Sequence, residues 1–129
     1  MSVVGWAHSR LRSGLTMEFY LAERHIEVTP YARYHLVENR LRELGHERRI
    51  GLRVPHFSVL PDIIAGSELL VTVPSRLGRS YAAPGRMQVF GLPFRVPEIE
   101  VTLHWHEGGG DLAARRWLCA MLRETLGEL

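Results

Sequence analysis

Short apolar runs alternate with segments of helical period along most of this chain, and that alternation confines it to one architectural class. Val3–Ala7 reads as a short apolar strand. Thr16 is placed to cap a helix over Met17–Glu23, with Leu15 and Tyr20 where a hydrophobic staple would sit. Ile26–Thr29 is a second strand. Tyr34, Val37, Leu41 and Leu44 then recur at helical spacing, and Gly45 ends that helix. Ile50, Leu52 and Val54 alternate as a third strand. Ser58 stands where it would cap a helix carrying Val59, Ile63 and Ile64, with Pro61 in its first turn and Gly66 at its end. Leu69–Val73 is almost continuously apolar, the pattern of a strand covered on both faces. Ser75 opens a short helix over Arg76–Ala82. Strands alternating with helices of this length predict an α/β fold with a largely parallel sheet.

The pattern changes after residue 82. Pro84, Gly85, Gly91, Pro93 and Pro97 mark a connector around a short strand at Met87–Phe90. Beyond it, Ile99, Val101, Leu103 and Trp105 alternate with Glu100, Thr102, His104 and His106, the period of a half-buried strand. Gly108–Gly110 forms a loop. Asp111 caps a last helix with Ala114, Trp117, Leu118, Met121 and Leu122 on one stripe. This strand and this stripe both need partners. From pattern alone they read as a return into a second lobe that is mostly absent from the chain.

The 129 residues are the length of one domain, or of one lobe plus part of another, and 46% hydrophobic with 23% charged residues allow a packed core. No apolar run is long enough to span a bilayer, and Met1 opens no secretion leader. A lone Cys119 precludes an internal disulfide and any site built from several Cys ligands, so the expected compartment is the reducing cytoplasm. All 16 basic residues are Arg, yet the net charge is only +2. They are interleaved with Asp and Glu, which describes a solvated surface better than a nucleic-acid stripe.

Ligands of open α/β sheets bind at the carboxyl ends of strands. Two junctions qualify, Thr29-Pro30-Tyr31 and Val54-Pro55-His56-Phe57-Ser58. Free backbone N–H groups at a following helix start favour a carboxylate there. His56 would add a hydrogen bond or charge and Phe57 an aromatic wall. Position alone favours the plainer reading, a half-buried His56 bonded to backbone at a strand end. His104 and His106 share a strand face and would suit a metal-dependent hydrolase, but only Glu100 and Glu107 lie near as further ligands. A framework role for the pair is the simpler reading. His8, His25, His35 and His46 are scattered and read as surface residues. Cys119 sits near the apolar stripe, where an inert thiol is expected. There is no P-loop, no G-x-G-x-x-G and no G-x-S-x-G. Nothing specifies an enzyme or a cofactor.

One ordered series goes further: Arg53-Val54-Pro55-His56-Phe57, Gly66 through Leu77, Val96 through His106, then Asp111 and Arg116-Trp117-Leu118. The Thr72-Val73-Pro74 turn with Arg76-Leu77, and Trp105-His106 followed by Asp111, are distinctive together. Leu15-Thr16-Met17-Glu18 and Tyr20-Leu21-Ala22 fit the same pattern. The series resembles the C-terminal part of the effector-binding domain of LysR-type transcriptional regulators, in the branch of aromatic-degradation and nodulation regulators. The resemblance covers nearly the whole chain.

That resemblance implies a Rossmann-like lobe of a type II periplasmic-binding-protein fold. Residues 1–75 would form the effector-binding lobe II, 76–98 a crossover, and 99–129 the strand and helix that return to lobe I. It implies a small-molecule effector, carboxylate-bearing or aromatic, in an interlobe cleft, and a homo-oligomeric regulator. His56 and Phe57 match a strand-end motif lining that cleft. Thr29 and Tyr31 occupy the lobe's other cleft-facing junction, and Glu98 lies near the second crossover. The turn Thr29–Arg33 departs from the Gly-rich segment of the aromatic-acid branch. DNA would be bound only through a winged helix-turn-helix that this chain does not contain. An alternative is a chain that only associates, its stripe covered by another chain.

Overall fold

The computed structural model describes residues 1–6, 14–29, 35–82 and 87–127. In chain order the elements are β1 (Ser2–Trp6), α1 (Met17–Ala22), β2 (Arg24–Val28), α2 (Leu36–Glu43) and β3 (Arg49–Val54). A 3₁₀ turn (Phe57–Val59) leads into α3 (Leu60–Ile64), then β4 (Leu70–Val73), α4 (Ser75–Ala82), β5 (Met87–Gly91) and α5 (Leu112–Leu126). The chain divides into two compact units, Met1–Glu98 and Ile99–Leu129.

The first unit is built on a five-stranded sheet in the order β3-β2-β4-β1-β5. β2 pairs in parallel with both β3 and β4. β1 is antiparallel to β4 and to β5, with Val3 opposite Thr72 on one side and Phe90 on the other. The parallel arrangement expected from βαβ alternation therefore holds for every strand but β1. The connector's short strand is the sheet's outer edge.

Alternation along the strands sends side chains into two cores, one per face. On one face Val4, Ile26, Val54, Val71 and Val73 pack with Leu60 and Ile64 of α3, and Leu77 and Tyr81 of α4 close over them. On the other, Val3 and Leu70 meet Tyr20 of α1 and Val37 and Leu41 of α2. Phe90, Leu92, Phe94 and Val96 of the chain leaving β5 complete that layer. β4 is covered on both sides, as its apolar run required.

Local chemistry explains the helix ends. Thr16 accepts a hydrogen bond from the Phe19 N–H at 3.2 Å, and Leu15 and Tyr20 join one core, as a capped and stapled helix requires. Thr16→Ala should lower stability by about 1 kcal/mol, read from the urea midpoint at unchanged slope. At the end of α2, His46 N–H donates to the Leu41 carbonyl and Gly45 N–H to that of Arg42. This pairing puts Gly45 at φ +80, where a side chain would be strained. Gly78 answers a different need. A Cβ there would stand 3.0 Å from that of Ser2, so its absence lets α4 lie close on β1.

Two expectations fail in this unit. Ser58 does not cap α3; it lies inside the 3₁₀ turn, and neither turn nor helix has a side-chain cap bond. The tight turn brings Pro61 into the first turn of α3 without needing the hydroxyl. The alternation of Ile50, Leu52 and Val54 is broken by an irregularity: Ile50 lies opposite His25 but Leu52 lies opposite Ile26. Gly51 is the extra residue between them, so Ile50 falls on the His25 face of the sheet while Leu52 and Val54 share the Ile26 face, where Leu52 is exposed on the edge strand and Val54 is buried.

In the second unit, Asp111 accepts from Ala113 N–H at 2.9 Å and Ala114 N–H at 3.4 Å, capping α5 as expected. Arg115 reaches back to the His106 carbonyl at 3.1 Å and holds the intervening turn. Residues 99–106 correct the sequence reading: they form no strand. A strand exists through its ladder, and no described strand pairs with these residues. Among the described residues no helix is long and apolar enough to cross a membrane.

Candidate functional site

The parallel pair β2–β3 delivers two junctions to the same edge of the sheet. Beyond β2, the Thr29 N–H donates to the Val54 carbonyl at 3.0 Å, so Thr29 lies against the last residue of β3. The chain then continues through Pro55 to His56, which is extended (φ −138, ψ 148), exposed and free of a cap bond. Phe57 follows, half-buried against the core beneath α3 and α4. Its carbonyl accepts from the Tyr81 hydroxyl at 3.0 Å, which ties the His56 turn to α4. Burial raises the Tyr81 phenol above its ordinary pKa, so it stays a donor at neutral pH.

Thr29 and His56 are therefore brought together at one strand edge, and Phe57 is partly committed to the core. Tyr31 lies outside the described residues. Glu98 is exposed at the end of the first unit, with no hydrogen bond or ion pair to Thr29 or His56.

The structure adds a polar network on the α1–α2 face that sequence reasoning missed. His25 is fully buried, contrary to its reading as a surface residue. β2 is an interior strand with helices on both faces, so the position opposite Ile26 is inside as well. The Tyr20 carbonyl can only accept, so the His25 Nε2 that lies 2.6 Å from it carries the proton. Nδ1 is then a bare acceptor, and it has no partner among the described residues. Burial pulls the imidazole down to about 4; the bond to Tyr20 opposes this and the charge of Arg48 reinforces it.

Arg48 is the cation of this network. Its side chain is only 6% exposed and forms an ion pair with Glu38 of α2. It also donates to the Tyr20 hydroxyl, which in turn lies 2.8 Å from the Thr72 hydroxyl of β4. Burial raises the Tyr20 phenol, and Arg48 and Thr72 partly offset that. Nothing in a linear pattern distinguishes Arg48 from its exposed neighbour Arg49.

The same face gathers the only three-residue set among the described residues with metal-ligand spacing, Glu27, His35 and Glu38, whose ligand atoms lie within 4.8 Å of one another. Guanidinium groups already occupy it: Arg53 donates to Glu27 at 2.6 Å and Arg48 holds Glu38. A cation placed there would have to displace both. At the other candidate pair, the His104 ring lies 2.7 Å from the Thr102 hydroxyl, and His106 Nδ1 accepts from the Gly108 N–H. Both rings are engaged locally. Cys119 is a free, half-buried thiol.

An α/β unit whose parallel strands end in adjoining loop junctions has the build of a small-molecule-binding lobe. Residues 3–127 match the model of the LysR substrate binding domain, and the chain belongs to that family. It is 31% identical over 112 residues to the HTH-type transcriptional activator NahR of Pseudomonas putida, covering 86% of this chain and 37% of that protein. It is likewise 31% identical over 117 residues to nodulation protein D of Azorhizobium caulinodans, covering 88% and 37%. The chain thus spans little more than a third of the length of either relative. The fold matches the regulatory domain of MexT, a transcriptional activator in Pseudomonas aeruginosa, with a TM-score of 0.81 at 25% identity, over 94% of this chain and 60% of that one. The fold class expected from the sequence, a periplasmic-binding-protein-like α/β lobe, and the family are both established.

Proposed function

We propose that this chain is the effector-sensing part of a LysR-type regulator, and that it takes a small carboxylate-bearing or aromatic molecule at the strand edge where Thr29 and His56 meet. The observation that carries the reading is the Thr29–Val54 hydrogen bond, which sets the two strand-end junctions side by side in a substrate-binding domain. His56 is the polar contact, with its ring outward. Tyr31 and Glu98 are the further proposed contacts, and Phe57 forms part of the wall. The chemistry is binding alone, with no bond made or broken. Residues 1–75 act as one lobe of the cleft, 76–98 as the crossover, and 99–129 as the part that returns to the other lobe. In the intact regulator, a homo-oligomer, closure on the effector shifts the balance between two arrangements and so the hold on DNA.

Titrating benzoate and butyrate into the chain, followed by amide proton–nitrogen NMR, tests this reading. Saturable shifts of the Thr29 and His56 amides are expected, weakened by His56→Ala. A dispersed spectrum in which neither amide moves with either ligand would sink it.

A second reading rests on α5, where Trp117, Leu118 and Met121 are 64%, 52% and 42% exposed. So much apolar surface on one stripe favours association. Sedimentation that finds only monomer over a wide concentration range would remove it.

A further inference from the structure

On the first unit, α2 aligns Leu36, Asn39, Arg40 and Glu43 on one stripe, at the three- and four-residue spacing of a helix face. The chain leaving β5 runs past this stripe as Arg95-Val96-Pro97. Between them opens a cleft of about 440 Å³. That volume falls within the roughly 300–1,000 Å³ typical of small-molecule sites.

The walls differ in character. Leu36, Val96 and Pro97 supply apolar surface. Arg40 spans the gap: its Nε donates to the Arg95 carbonyl at 3.1 Å and its Nη1 pairs with Glu43 at 2.9 Å. Arg40 is thus engaged at both ends and its charge is paired with that of Glu43. Arg95 is exposed, and its guanidinium has no partner among the described residues. The residues lining the cleft thus include two arginines and one carboxylate, Glu43, and the Arg95 guanidinium is the uncompensated group.

We propose that this cleft is a second small-molecule site, for a monoanion with an apolar body, such as a carboxylate on an aromatic or short aliphatic frame. The carboxylate takes the free N–H groups of Arg95, which form a fork suited to two parallel hydrogen bonds. The body lies against Leu36, Val96 and Pro97. The strap from Arg40 keeps the two walls at a fixed spacing, so the site is formed before the ligand arrives. All its residues lie in the first unit, and it does not depend on the reading of the Thr29–His56 edge. Because its walls are α2 and the segment ending at Glu98, occupancy would brace the part of the chain that leaves this unit.

Amide NMR of the whole chain with benzoate and with its neutral counterpart benzamide tests the assignment. Saturable benzoate shifts are expected at Leu36, Asn39 and Val96, with no such response to benzamide. Arg95→Gln should weaken benzoate about tenfold at those amides, the loss of a charge-assisted contact. Arg79→Gln, on the exposed side of α4, should leave it unchanged. Three results would each overturn the proposal: no saturable shift at these amides into the millimolar range, equal affinity in Arg95→Gln, or a stable dimer that protects them. In the last case a second copy of the chain fills the cleft.

Discussion

Replacing Arg48 by methionine is expected to destabilise the first unit by about 3 kcal/mol, near the lower end of what breaking a buried ion pair removes. The size follows from what is left behind. Glu38 loses its counterion, and the Tyr20 hydroxyl loses a charged donor. Glu38 keeps about a quarter of its side chain in water (26%), so solvent relieves part of the loss and the upper end of the range does not apply. The same reasoning predicts that Glu38→Gln in the Arg48→Met background recovers much of the stability, because no uncompensated charge then remains. Urea unfolding of the two single variants and the double variant measures this as a cycle. If the double variant is as unstable as the sum of the singles, the pair is not the coupled unit described above.

A pH profile is expected to show the second large effect. The folded pKa of His25, about 4, lies below its ordinary 6.5. Between these values the unfolded chain binds the proton and the folded chain does not, so folding loses ground as pH falls. Stability from this group is complete above about pH 6.5 and declines by roughly 1.4 kcal/mol per unit toward pH 4, about 3 kcal/mol in all. The physical cause is the environment of Nδ1. A proton there would sit in the buried core, with no acceptor among the described residues, near the guanidinium of Arg48. Glutamates and aspartates titrate over part of the same range, so the comparison is with His25→Gln, whose amide can still donate to the Tyr20 carbonyl. The difference between the two profiles should vanish above pH 7 and grow on acidification. Parallel profiles from pH 7 to pH 4 would falsify the assignment.

How much of this was legible beforehand depended on whether the deciding interaction is local. The Thr16 and Asp111 caps and the Gly45 terminus are set by residues within one or two turns, and they stand where the sequence put them. Strand order is set by distant partners, and nothing within Val3–Ala7 says that β1 runs against its neighbours. His25 was misread for a related reason: alternation tells which residues share a face, and only the whole sheet tells that both faces of β2 are covered. Residues 99–106 have the period of a strand and lack a ladder, since period belongs to the segment and pairing to its neighbours. At the candidate site, Thr29 and His56 were identified as strand-end residues, but their meeting at one edge rests on the parallel register of β2 and β3. The network of Arg48, Glu38, Tyr20 and Thr72 joins three elements and the loop before β3, and left no mark in any one of them.

The place of β1 in the sheet has a kinetic consequence. It is inserted between β4 and β5, with Val3 against Thr72 on one side and Phe90 on the other. β1 precedes both of the strands it pairs with, so it has no edge to join until the chain has been made through β4, and its second edge is open until β5 follows. β2, β3 and β4 are near in sequence and can assemble meanwhile. Closing the sheet is then a late event of high contact order, which slows folding. During that interval the buried pair Val3 and Val4 stands uncovered, and the unpaired edge of β4 is open to the same strand from another copy.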